Sequence, residues 1–99
     1  MRCDVCNAPG TSTQLETGPI VIETSVGHAL SNSAWDLCDV CAEGITSGTD
    51  TTVRMYIRSH NTDADASNDL KEAMADLGIE VLNALRREHQ AGAPLTYRS

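Results

Sequence analysis

The chain contains no phenylalanine, one tryptophan and two tyrosines. So few large apolar side chains build a thin core, which calls for a covalent or metal staple. It also contains a single lysine, Lys71, and no basic run. The formal charge is −7, from fourteen acids against seven Lys and Arg. Proteins that grip nucleic acid take most of their affinity from Lys and Arg against phosphate, so this balance argues against a generic nucleic-acid binder. A local patch around Arg54 and Arg58 is the one place where such contact is conceivable. Low lysine with abundant Asp, Thr and Ala also fits a high-GC or salt-adapted source. No stretch approaches the roughly 20 apolar residues of a membrane span. Met1-Arg2-Cys3 opens no apolar leader. A reducing, cytoplasmic setting is therefore expected, where paired cysteines serve as metal ligands rather than disulfides.

What the chain does have is one tetrapeptide used twice, Cys3-Asp4-Val5-Cys6 and Cys38-Asp39-Val40-Cys41. Structural zinc takes four ligands, and two C-x-x-C turns supply four thiolates. All four cysteines of the chain are consumed, so Cys3, Cys6, Cys38 and Cys41 are the expected ligands of one Zn ion. Four thiolates around a divalent cation add about −2 to an already acidic chain.

The two pairs lead into different chemistry. Asn7-Ala8-Pro9-Gly10 trails the first pair. Asn is one of the few residues other than Gly that adopts positive φ readily, as a knuckle turn requires. Ala42-Glu43-Gly44-Ile45 trails the second. Asp39 and Glu43 suit the positive end of a helix, which predicts a helix over residues 39–47 stopped by Ser47-Gly48.

Between the pairs, residues 11–18 read as polar and flexible, and residues 19–26 as a strand with Ile20, Ile22, Thr24 and Val26 on one face. Gly27-His28 turns the chain, and a return strand through Trp35 and Leu37 delivers Cys38. Trp35 is expected in the core over the metal site.

Knuckle, hairpin and helix in this order resemble the treble-clef group of zinc fingers. Within it, the organisation is similar to that of the zinc-binding domain family that opens the ClpX unfoldases, which runs C-x-x-C, hairpin, aliphatic-Cys-x-x-Cys, helix. The resemblance covers residues 1–48 and implies a dimeric, adaptor-binding module with no chemistry at the metal. The gap between the pairs is longer here, and residues beyond 48 have no counterpart. Rubredoxins also use two C-x-x-C pairs, with iron, but place Gly after each; Asn7 and Ala42 stand there in this chain.

Residues 49–66 read as a third strand and a polar linker. Val53, Met55 and Ile57 alternate with Arg54, Tyr56 and Arg58, and the β-branched content favours extended backbone. A helical stripe through Val53, Tyr56, Ile57 and His60 is the competing pattern. Residues 67–99 contain a long amphipathic helix and a tail. Ser67 or Asn68 caps it; Leu70, Met74, Leu77, Val81 and Leu85 form its stripe; Gly92 and Pro94 end it. Gly78 weakens its middle by about 1 kcal/mol relative to Ala. Ile79 and Leu82 fall off the stripe, rimmed by Asp76, Glu80 and Arg86.

The expected fold is thus a small α+β zinc-binding domain: knuckle, β-hairpin and short helix (residues 1–48), a possible third strand and linker (49–66), then a long helix and tail (67–99). The histidines, His28, His60 and His89, sit in no catalytic frame. The functional expectation is a non-enzymatic protein-interaction module, acting as an adaptor, regulator or assembly component. Its contact surface is Ile79, Leu82, Asp76, Glu80 and Arg86, and a homodimer is the simplest way to cover it. The alternative is a small nucleic-acid-associated regulator using Arg54 and Arg58.

Overall fold

Two long antiparallel strands carry the chain from the first cysteine pair to the second. A computed structural model describes residues 1–97. Strand β1 spans Thr13–Glu23 and β2 spans Ala29–Leu37, in register from Thr13↔Leu37 to Glu23↔Ala29, with a bulge between Glu16 and Ile20. The first strand begins at Thr13, well ahead of the expected start at residue 19. Thr13 and Leu15 are buried there, so the polar-looking stretch alternates in and out like a strand. Residues 24–28, which continue the apolar alternation in sequence, form the turn instead, with the Thr24 N–H donating to the His28 carbonyl at 2.9 Å.

Helix α1 spans Asp39–Ser47 and ends at Gly48, whose φ of 75° completes the C-terminal turn, as its sequence predicts. The next element, α2, spans Thr51–His60 and corrects the strand expected there. In a strand, Val53, Met55 and Ile57 share a face. Here Val53 and Ile57 are buried one turn apart, while Met55 is 62% exposed. Four-residue spacing satisfied by a waiting apolar surface overrides local β preference. The long helix α3, Asn68–Gln90, starts at Ser67, whose hydroxyl accepts the Leu70 N–H at 3.2 Å.

A short strand β3, Leu95–Tyr97, comes after α3 and pairs antiparallel with Thr13–Leu15. The sheet order is β2-β1-β3. By sequence pattern this segment belongs to the tail, because a three-residue strand is too short for its alternation to register.

Helix α3 is rolled relative to its sequence stripe. Ala75, Gly78, Ile79, Leu82 and Leu85 face inward with Val81, whereas Leu70 is 50% exposed and Met74 and Leu77 are half-buried. Gly78 explains the roll. A Cβ built there would lie 2.4 Å from Ile57 Cδ1 and 3.2 Å from the Val5 carbonyl. The missing side chain lets α2 and the first knuckle pack against the helix backbone. One apolar cluster results, running from Cys3 through Trp35, Leu37 and Ile57 to Leu85, so the three sequence segments share a single core.

Candidate metal centre

The four cysteine sulfurs converge. Cys3, Cys6, Cys38 and Cys41 are all buried, none is disulfide-bonded, and their Sγ atoms lie within 4.8 Å of one another. Sulfurs at the corners of a zinc tetrahedron with bonds of about 2.3 Å stand about 3.8 Å apart. The Cys6 and Cys38 sulfurs are 3.6 Å apart. The donor set therefore fits a tetrahedral, all-thiolate cation site, with every position filled by protein.

Each pair reaches the centre by a different local structure. The first is a knuckle. The Asn7 N–H donates to the Cys3 carbonyl at 2.9 Å, the Cys3 N–H donates to Ala8 O at 3.0 Å, and Asn7 stands at φ 65°, the predicted left-handed position. The second pair is the first turn of α1: Cys38 caps it, and the Ala42 N–H donates to the Cys38 carbonyl at 2.9 Å. In both pairs the backbone amide of the second cysteine helps to lower the thiol of the first, as the smallest of its influences.

Four thiols this close cannot all ionise without a cation to neutralise them. Hydrogen bonds from Cys38, Cys41 and Cys6 hold Cys3 far below the usual thiol range. Cys38 is pushed up by Cys3 but down by Cys41 and Cys6, and comes to about 7. Contact with Cys3 and then Cys38 raises both Cys6 and Cys41.

The two aspartates inside the pairs tether the site. Asp4 Oδ2 accepts the Asp36 N–H at 2.7 Å, and the Asp4 N–H donates to the Asp36 carbonyl at 2.8 Å, which binds the knuckle to the end of β2. Burial, and then the neighbouring Asp36 charge, raise the Asp4 carboxyl despite its bond to Asp36 N–H. Asp39 accepts the Ser12 hydroxyl instead. Sequence reasoning missed this role for Asp4; the signal that points to it is the recurrence of aspartate in both pairs. Trp35 lies buried in the same cluster, as expected, and its Nε1–H donates to Thr17 Oγ1 at 3.0 Å.

The expected contact surface on α3 is corrected. Ile79 is 7% exposed and Leu82 is fully buried, because the helix presents that side to the core. Their polar neighbours are committed within the chain. Asp76 pairs with Arg54 at 2.9 Å. Glu80 accepts the Ser25 N–H at 2.8 Å and its hydroxyl at 2.9 Å. Arg86 donates to Gly44 O at 2.9 Å, to Asp50 Oδ1 at 2.8 Å and to Asn83 Oδ1 at 2.8 Å, clamping α1 and α2 onto α3. Arg58 pairs with Glu72, so both arginines of the basic segment already have carboxylate partners. His28, His60 and His89 remain dispersed, in the hairpin turn, at the end of α2 and in the last turn of α3. Among the described residues no helix is long and apolar enough to cross a membrane. No family model, no curated protein and no solved structure matches the chain, so its functional reading rests on this geometry.

Proposed function

We propose that the chain is a zinc-stabilised, non-enzymatic protein-interaction module of treble-clef type, serving as an adaptor, regulator or assembly component. The closed four-sulfur cluster carries this reading. A catalytic zinc keeps one position for water or substrate, whereas four cysteines leave none. The cation would hold the knuckle, the end of β2 and the start of α1 together and do no chemistry. Zinc suits four soft thiolates in a reducing setting. The knuckle, hairpin and helix order supports the treble-clef assignment.

The function then lies on the surface. Self-association through Ile79 and Leu82 loses its apolar centre, since both are core. Large apolar side chains are instead exposed on the hairpin, with Val21 at 60% and Val26 at 69%. With Arg54 and Arg58 paired to Asp76 and Glu72, nothing favours the nucleic-acid reading. Native mass spectrometry tests the proposal, reporting metal count and oligomeric state together. One zinc per chain in a colourless protein is the expected result. A red iron-loaded protein, a metal-free folded one, or tight DNA binding at physiological salt would overturn it.

A further inference from the structure

Strand β1 is paired on both sides for only part of its length. Its residues face β2 throughout, apart from the bulge, but β3 covers Thr13–Leu15 alone, extended by one bond from the Glu16 N–H to Pro94 O at 3.1 Å. Beyond Glu16, no strand among the described residues covers the β3 side. The hairpin register says which backbone groups are left there. Thr24 N–H bonds toward β2, with Ile22↔Leu30 and Ile20↔Asn32 in step. Antiparallel pairing alternates, so the N–H and C=O of Val21 and Glu23 point away from β2. Pro19, which has no N–H, occupies the same edge, where proline is tolerated.

That edge forms one wall of an open groove of about 470 Å³; α3 forms the other, with Glu80, Asn83, Ala84, Arg87 and Glu88. Residues 19–23 span about 16 Å of strand. Ile20 and Ile22 turn their side chains toward the core, while Val21 stands 60% exposed beside the opening. Three carboxylates, Glu23, Glu80 and Glu88, face one guanidinium, Arg87, around the groove.

We propose that this groove binds an extended, lysine- or arginine-rich segment of another protein, which joins the sheet as a strand beside residues 19–23. This rests on the protein-interaction reading and names its partner chemistry. Backbone bonds from Val21 and Glu23 supply orientation, as in other strand-addition complexes. Side chains of the guest that point toward α3 meet small Ala84 beside Glu88 and beside Glu80, which keeps its negative charge while accepting from Ser25, so basic residues at alternate positions gain charge complementarity. Phosphate is repelled by the same carboxylates. A second copy is disfavoured because two chains that each carry −7 repel one another across such an edge.

The test is a backbone-amide NMR titration of the zinc-loaded protein with a synthetic peptide of about seven alternating Lys and Thr residues, the length that covers the edge. The control peptide has Glu in place of Lys. The expected result is saturable shifts at the Val21, Glu23 and Ala84 amides with the lysine peptide only. Val21→Pro removes one edge donor without adding bulk and should weaken binding about tenfold. Glu88→Lys, at the helix surface, should weaken it about fivefold and flatten its salt dependence. The proposal is overturned if those amides do not move, if the glutamate peptide binds equally, or if sedimentation reveals a dimer that protects the Val21 amide. A protein partner whose binding survives both substitutions overturns the groove while the interaction reading stands. Tight DNA binding overturns both.

Discussion

The same tetrapeptide, Cys-Asp-Val-Cys, is folded twice in one molecule and into two structures. Residues 3–6 make an irregular knuckle; residues 38–41 cap and begin a helix. Identical local sequence therefore does not decide the conformation. The residues C-terminal to each pair do. Asn7 takes positive φ and Pro9-Gly10 breaks the chain away, whereas Ala42, Glu43 and Ile45 continue a helix whose inner side is buried against α3. Both conformations still aim two sulfurs at one point, since all four Sγ atoms lie within 4.8 Å of one another. The valines share the difference: Val5 is buried under the knuckle with its carbonyl against Gly78, while Val40 is half-buried at the margin of the core.

The sharpest way to break this comparison is to remove one sulfur from each pair. Cys6→Ser and Cys41→Ser should each abolish zinc binding and unfold the chain, since the binding energy of a structural zinc, on the order of 10 kcal/mol, is folding energy. Zinc stoichiometry and far-ultraviolet circular dichroism check this. If either variant stays folded, the two pairs are not one site.

Next in size is the surface that both pairs lean on. Leu82→Ala in the buried side of α3 should cost about 2–5 kcal/mol in urea unfolding. Leu77→Ala, half-buried on the sequence stripe, should cost about 1 kcal/mol. Equal costs would mean the helix is not rolled as described.

The residue after each pair gives a finer test. At position 7, alanine should cost about 1 kcal/mol through left-handed strain, while glycine should sit near zero, its freedom offset by the lost Asn7 bond to His60 O. At position 42 the preference reverses: alanine is native and glycine costs about 1 kcal/mol in a helix. Thermal melts of Asn7→Ala, Asn7→Gly and Ala42→Gly read the sign directly.

The smallest contrast concerns the repeated aspartate. Asp4→Ala leaves the Asp36 N–H without its acceptor and should cost about 1–2 kcal/mol. Asp39→Ala loses an exposed bond to Ser12 and a carboxylate at a helix start, about 0.5–1 kcal/mol. Chemical denaturation that ranks them in the opposite order would show that the second pair, not the first, depends on its tether.

Cysteine spacing, the left-handed Asn7, α1 and the Ser67 cap are legible in the sequence because each is a short-range device. Sulfur chemistry, φ preference and helix capping act over a few residues and leave their pattern in consecutive letters. Other features are decided at longer range. Whether residues 51–60 coil or extend depends on Val53 and Ile57 finding an apolar surface, and for Ile57 that surface is the groove that Gly78 opens on α3. Which flank of α3 is core depends on where α1, α2 and the hairpin come to rest, so Ile79 and Leu82 go in and Leu70 stays out. The short β3 exists because β1 has an open edge within reach of the chain leaving α3, and it covers only the first part of that edge. Local chemistry set the metal ligands, the turns and the caps; burial, which is a property of the assembled surfaces, decided α2 and β3, chose the faces and left the later part of the β1 edge without a strand beside it.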